Sequence, residues 1–176
     1  TMEPLAKLST ALYIHYYTGL RSGEGYAMKW KDIHLDDPEN SYMVVKSTFN
    51  WRTEKLTPTK TGQERTVDVT AIRKYLLAHK LRSPEKEFLF PRDSEWQVGK
   101  MARAFQSILK DVGYIPEKNH KGEDLWPVFH SCRSSYVMKL LTAGVPYLLV
   151  QSQTGHKDFK SLRHYIAKLA SGDTKG

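Results

Sequence analysis

The 176-residue sequence contains one cysteine, Cys132. A disulfide within the chain is therefore excluded, and a cysteine-based zinc site has too few ligands. No apolar run approaches the roughly 20 residues that a helix needs to cross a bilayer, and no signal-peptide pattern opens the sequence, so no membrane partner is expected. The chain carries no GxxxxGKS/T loop and no GxGxxG, which leaves nucleotide binding without a motif. HExxH, carboxylates at metal-binding spacing and a GxSxG elbow are also missing, so neither a cofactor nor a metal is expected. There is no internal repeat and no low-complexity segment.

What the chain does have is a 40% apolar fraction, enough for one ordinary globular domain. Its 27 Lys and Arg against 19 Asp and Glu leave a net charge of +8. A balance this basic points to a polyanionic partner, with nucleic acid first in line.

Leu5, Leu8, Leu12 and Tyr16 recur at helical spacing, and Thr18-Gly19 is a stop signal. A short second helix is predicted from Ser22 to about Lys31, with Ser22 as its cap. Tyr42 and Val44, Lys55 to Thr59, and Arg65 to Thr70 read as three strands, with Lys60-Thr61-Gly62-Gln63 as the turn joining the last two. Ile72, Tyr75, Leu76 and Leu77 give a helix that Ser83-Pro84 ends. Phe88-Leu89-Phe90-Pro91 is a short buried or extended piece. A further helix runs from about Val98 to Val112, and residues 113–127 form an irregular connection. Three helices finish the chain, at about His130 to Ala143, Pro146 to Gln153 and Phe159 to Leu169, punctuated by Gly144 and Gly155.

Four clusters carry residues suited to chemistry. In Thr18-Gly19-Leu20-Arg21-Ser22-Gly23-Glu24, Arg21 sits where a guanidinium can meet a phosphate beside a helix start, with Glu24 one turn away to orient it. Lys60 lies in the expected turn, where an ammonium can reach into a site and give up a proton. His130 and Arg133 fall on one helix face in His130-Ser131-Cys132-Arg133. His156 follows Thr154-Gly155, and Tyr165 comes nine residues later. Taken singly, each also fits something ordinary: a surface ion pair, a solvated turn lysine, a helix cap beside an exposed arginine, or a core aromatic.

Their order is more telling than any one of them. TGLRSGE, KTGQERTVDV, HSCR, TGH and then a tyrosine resemble the tyrosine recombinase (phage integrase) family over about Leu5 to Leu169. The Trp30-Lys31-Asp32-Ile33 stretch and Phe88-Leu89-Phe90-Pro91 fit the same pattern. Gly25-Tyr26, Cys132 and Thr154 depart from it at positions beside the chemical ones.

The resemblance implies an α+β fold, mostly helical with a small three-stranded antiparallel sheet. It implies Arg21 and Arg133 as paired arginines, Lys60 as the hairpin lysine, His130 and His156 as the two histidines, Tyr165 as nucleophile and Glu24 as a supporting acid. The activity implied is cleavage and rejoining of double-stranded DNA through a 3′-phosphotyrosyl bond, without metal or ATP. The family works as a homo-tetramer on two duplexes. A cytoplasmic setting is implied, on the nucleoid if the source is bacterial or phage. The opening Thr-Met does not look native, and the family's preceding DNA-clamping domain is not in the sequence. The expectation is a single catalytic domain over 1–176, cut from the C-terminal part of a longer recombinase. Two rivals remain: a type IB topoisomerase, which reseals the original strand, and a non-catalytic DNA-binding regulator.

Overall fold

The computed structural model describes residues 2–59, 62–82, 84–90 and 98–170. Lys60 and Thr61, Ser83 and Pro91 lie outside the described residues. Helix α1 (Met2–Thr18) leads into α2 (Ser22–Ala27), followed by strands β1 (Ile33–His34), β2 (Tyr42–Val45), β3 (Ser47–Asn50), β4 (Lys55–Pro58) and β5 (Arg65–Asp68). Helices α3 (Arg73–Arg82) and α4 (Val98–Asp111) come next, then strands β6 (Glu117–Lys118) and β7 (Asp124–Leu125). Helices α5 (Phe129–Thr142), α6 (Tyr147–Thr154) and α7 (Arg163–Ala170) close the described chain. No helix among the described residues is long and apolar enough to cross a membrane.

Helix α1 stops because Gly19 takes a left-handed turn at φ +61°, its N–H donating to the His15 carbonyl at 2.9 Å. A side chain at Gly19 would also run into the Tyr136 ring on α5, so this residue sets both the stop and the close approach of the two helices. Helix α2 is shorter than the sequence suggests. Ser22 is its first residue rather than its cap, and Met28 is already extended. The cause is a pairing seen only in three dimensions: Leu89 donates to Met28 at 2.9 Å and Trp30 to Glu87 at 3.0 Å, which pulls the chain straight.

The three-stranded antiparallel sheet exists, with the order β1-β2-β5. Met43 faces Val67, and both side chains are fully buried. Its membership corrects the sequence reading. The strand at Lys55–Pro58 pairs with β3, not with β5, in a separate two-stranded sheet. Asn50 Oδ1 accepts the N–H groups of Arg52 and Thr53 and closes that hairpin. Phe49 seals it against α2 by packing on Tyr26 and Trp51. Gly23 makes room, since a Cβ there would meet Thr48 Oγ1 at 2.5 Å and Phe49 O at 2.8 Å. The stretch after β4 therefore links two sheets instead of turning one hairpin. Its flanks are held by Gly62 N–H on Thr59 O and Thr59 Oγ1 on Gln63 O, both at 2.8 Å.

Residues 113–127 also differ from expectation, because they contain the β6–β7 hairpin. Asn119 organises its tip, its Oδ1 accepting from Lys121 and Glu123 N–H. The final helix starts at Arg163, after a separate turn over Phe159–Ser161 that Asp158 caps.

Two apolar cores result among the described residues. The larger joins Ala11, Ile14 and Leu20 to the sheet through Met43, Val45 and Val67, with Ile72, Leu76, Leu89 and Phe90. The smaller joins α5, α6 and α7 through Val137, Val150, Leu162 and Tyr165.

His15 lies inside the larger core at 2% exposure, between the rings of Phe90 and Phe129. Its Nδ1–H donates to Ala11 O at 2.7 Å, and its Nε2 has no hydrogen-bond partner. Burial lowers its pKa below the ordinary 6.5, and weaker help from the Ala11 carbonyl and from Glu24 does not offset this. The unfolded chain therefore binds a proton at mild acidity that the folded chain refuses. The resulting stability is complete above the unfolded value and is lost as pH falls through and below it. We expect the thermal midpoint to drop between about pH 7.5 and about pH 5.5, with a shallower drop in His15→Leu. Equal slopes in scanning calorimetry would refute this assignment.

Candidate active site

The site is built around a buried carboxylate. Glu24 is 1% exposed and stands in the first turn of α2. Its Oε2 accepts the Arg21 backbone N–H at 2.8 Å and its Oε1 the Arg21 guanidinium at 2.9 Å. Arg65, arriving on β5, grips both oxygens as a fork, at 3.0 Å and 2.6 Å. Burial alone pushes the Glu24 pKa up. The Arg65 hydrogen bonds and charge, followed by those of Arg21, more than offset this and hold it below the ordinary value. The group is an anion locked between two cations.

The same arginines also hold the end of α6. Arg65 Nε–H donates to Gln153 O at 2.8 Å, Arg133 to Thr154 O at 2.5 Å and Arg21 to Gly155 O at 3.2 Å. Three consecutive carbonyls at a helix C-terminus, where no intrahelical donor is left, thus each receive a guanidinium. Gly155 turns left-handed at φ +65° and ends the helix, which delivers His156 beside the arginines.

Arg133 is 1% exposed. Besides Thr154 it donates to Gly19 O at 2.7 Å, so it ties the α1–α2 turn to α6. Its pKa is pushed down to about 10 by burial first and by Arg21 next, with Glu24 pulling the other way. It remains charged at neutral pH. Two of its five donor hydrogens go to the backbone, and NH2 also faces the His156 ring.

The state of His156 follows from its neighbours. The Thr154 hydroxyl donates to Val150 O at 2.6 Å, so its lone pairs must receive the His156 Nδ1–H at 2.7 Å. Nε2 then carries a lone pair and faces Arg133 NH2 at 3.4 Å. Burial, reinforced by Arg133 and Arg21, lowers the pKa of His156 to about 4. The free protein therefore holds His156 neutral. His130, in the first turn of α5, has its pKa lowered by partial burial and then by Arg133 and Arg21, although the residue reaches the surface.

Tyr165 is 5% exposed on α7. Its ring meets His156 edge-on with centroids 6.5 Å apart, and His164 lies over it at 3.6 Å. Its hydroxyl is 3.1 Å from Ser134 Oγ.

Arg21, Glu24, Arg133, His156 and Tyr165 are thus brought together from α2, α5, α7 and the end of α6, and His130 lies within reach of the two arginine charges. Lys60 falls outside the described residues. The sequence reading missed Arg65, Thr154 as a histidine acceptor, and Ser134. An arginine inside an alternating strand, where a salt-bridged partner is needed for burial, was the available signal for Arg65. An open groove of about 1020 Å3 between the sheet and α6 includes Arg65 and His156 in its lining but not Arg21, His130, Arg133 or Tyr165. Among the described residues no group of three or more His, Cys, Asp or Glu side chains is placed to hold a metal ion.

The sequence model of the phage integrase family matches residues 4–171. Among solved structures, the fold resembles the Tn1549 transposon integrase in complex with a circular intermediate DNA, at 19% identity and a TM-score of 0.70, covering 91% of this chain and 54% of that one. It also resembles the XerH site-specific recombinase bound to its difH substrate, at 21% identity and TM-score 0.63, covering 97% and 46%. A lambda integrase dimer bound to a core site matches at 22% identity and TM-score 0.61, covering 90% and 41%. The chain spans about half the length of these structures. No curated protein sequence matches it.

The Glu24 clamp has a measurable consequence. Removing Arg65 leaves a buried carboxylate with half its donors and frees the Gln153 carbonyl. Arg65→Ala is expected to destabilise the fold by about 3 kcal/mol in urea unfolding, the scale for breaking a buried pair from one side. A loss below about 1 kcal/mol, the scale of surface pairs, would contradict the clamp.

Proposed function

Since the chain belongs to the phage integrase family, we propose that it is the catalytic domain of a longer site-specific recombinase, which cuts and rejoins double-stranded DNA through a tyrosine–phosphate bond. The observation that carries this reading is the convergence of two arginines, a histidine and the Tyr165 hydroxyl on one small region, from elements spread over the whole chain. The likeness to the Tn1549 transposon integrase, solved in complex with a circular intermediate DNA, supports a mobile element as the setting. The working assembly we infer, from the family resemblance of the motifs, is a homo-tetramer on two duplexes.

Tyr165 attacks the phosphorus of a DNA phosphodiester. A 3′-phosphotyrosyl bond forms, the bond to the 5′-oxygen breaks, and that oxygen leaves as a 5′-hydroxyl. The phenol proton passes to a base, for which neutral His130 is the nearest assignment from the motif. Lys60 gives a proton to the departing oxygen. Arg21, whose side chain is 28% exposed, meets the non-bridging oxygens from the outer side, and Arg133 lies beneath. Their charge stabilises the phosphorane most when negative charge peaks, and their fixed placement spares reorganisation. With this charge supplied by side chains and the bond energy kept in the phosphotyrosine, the reaction proceeds without metal or ATP. A 5′-hydroxyl from a second strand then reverses the step. Exchange between two duplexes, rather than resealing of one, separates this reading from a type IB topoisomerase.

His156 enters as a switchable donor. Burial is the larger cause of the neutral imidazole and repulsion from Arg133 and Arg21 the next; a phosphodiester placed between the arginines offsets that repulsion and adds an anion beside the ring, and Nε2 takes up a proton. At about pH 6, binding of a DNA oligonucleotide should draw protons from the buffer, so calorimetric enthalpies should vary with the buffer's ionisation enthalpy. His156→Ala should remove most of that variation. Proton uptake that survives in the alanine variant would place the titrating group elsewhere.

Covalent attachment tests the reaction itself. The chain is incubated in EDTA without ATP with a pool of nicked duplexes of random sequence, and SDS-stable adducts are recovered. Wild type should yield adducts, and Tyr165→Phe none, while both retain DNA binding. Arg21→Lys should lower attachment about 100-fold, because an ammonium cannot supply the planar fork. Binding without any wild-type adduct would favour the non-catalytic DNA-binding regulator.

A further inference from the structure

Ser134 has no part in the chemistry above, yet it is the side chain that touches the reacting oxygen. It follows Arg133 on α5 and is half-buried. Its Oγ stands 3.1 Å from the Tyr165 hydroxyl, which comes from α7, 31 residues further along the chain. Among the described residues its Oγ also meets the His130 carbonyl at 3.4 Å, one turn back on its own helix. A carbonyl oxygen only accepts, so either hydroxyl can donate across the 3.1 Å contact, and the arrangement that also satisfies the His130 carbonyl directs the serine hydrogen there. In that arrangement the serine lone pairs face Tyr165, and the phenol donates between the two hydroxyls.

The placement of the ring does not depend on this bond. Tyr165 packs with Val137, Val150 and Leu162, and the His164 and His156 rings flank it. Packing fixes where the phenol oxygen lies, but it leaves the rotation of its hydrogen open. A nucleophile needs a lone pair, not the hydrogen, aimed at phosphorus.

We propose that Ser134 is a further catalytic residue of this site, which accepts the Tyr165 hydroxyl hydrogen bond and so fixes the orientation in which the oxygen attacks. This rests on Tyr165 being the nucleophile. Ser134 is a hydrogen-bond acceptor and not the final base. As the oxygen attacks, the phenol proton crosses to the serine oxygen while the serine's own proton passes on to the group that serves as base, so serine ends the step with its hydroxyl restored.

Two readouts separate this role from simple helix packing. First, DNA-free chain labelled with carbon-13 at tyrosine Cζ is compared between wild type, Ser134→Ala and Ser134→Thr, with Tyr165→Phe identifying the resonance. Ser134→Ala should move the Tyr165 signal, while the other tyrosines stay in place. Ser134→Thr, which keeps a hydroxyl on the same carbon, should restore it. Second, single-turnover attachment to the recovered nicked duplexes should slow about tenfold in Ser134→Ala and return in Ser134→Thr, as for one hydrogen bond lost at the reacting atom.

An unmoved Tyr165 resonance in a folded Ser134→Ala variant overturns the proposal, whatever happens with DNA. A moved resonance with attachment at the wild-type rate overturns the catalytic role. Failure of the nucleophile assignment has its own signature, an adduct that persists in Tyr165→Phe.

Discussion

The C-terminus of α6 is the point on which the rest of the site depends. Its final carbonyls have lost their helical partners and would be costly to leave buried and unpaired. Gln153, Thr154 and Gly155 are satisfied by Arg65, Arg133 and Arg21, which come from the sheet, from α5 and from the start of α2. Three like charges can be gathered there only because the helix end is electronegative and because Glu24 sits among them as a buried counter-anion. The carboxylate and the carbonyls together make a cationic cluster stable without a ligand.

This constraint joins the two cores. Arg133 reaches from the smaller core to Gly19 O in the α1–α2 turn, and Arg65 reaches from the larger core to α6. The left-handed turn at Gly155 then places His156 where burial, reinforced by the arginines, keeps it neutral. Tyr165, set into the smaller core by Val150 and Leu162, meets the same histidine. A site held this firmly before its substrate arrives suits chemistry in which the work is mainly the stabilisation of charge on a phosphoryl group.

Much of this could be read in the sequence, because local chemistry wrote it there. The helix stops at Gly19 and Gly155, the alternation of Val67 and Val69, and the order of the motifs each reflect rules that act within a few residues. What escaped was set by distant partners. The pairing of β4 with β3 depends on Gly23 admitting the hairpin against α2, and Ser47–Asn50 shows one apolar residue in four, too few to mark a strand. The early end of α2 depends on the segment around Leu89, some 60 residues away in the chain. Arg65 looked like an ordinary strand arginine, and Ser134 like one of many serines. Only the fold puts the first on Glu24 and the second on Tyr165.

The proposed chemistry requires that this cationic cluster serve one nucleophilic oxygen, that of Tyr165. Mass mapping of nuclease-trimmed, trypsin-digested adduct from wild-type chain tests it most directly. The account predicts a residual nucleotide mass on the peptide that holds Tyr165, attached through the phenol oxygen. The same mass on Ser134, or on any of the other nine tyrosines, would contradict it.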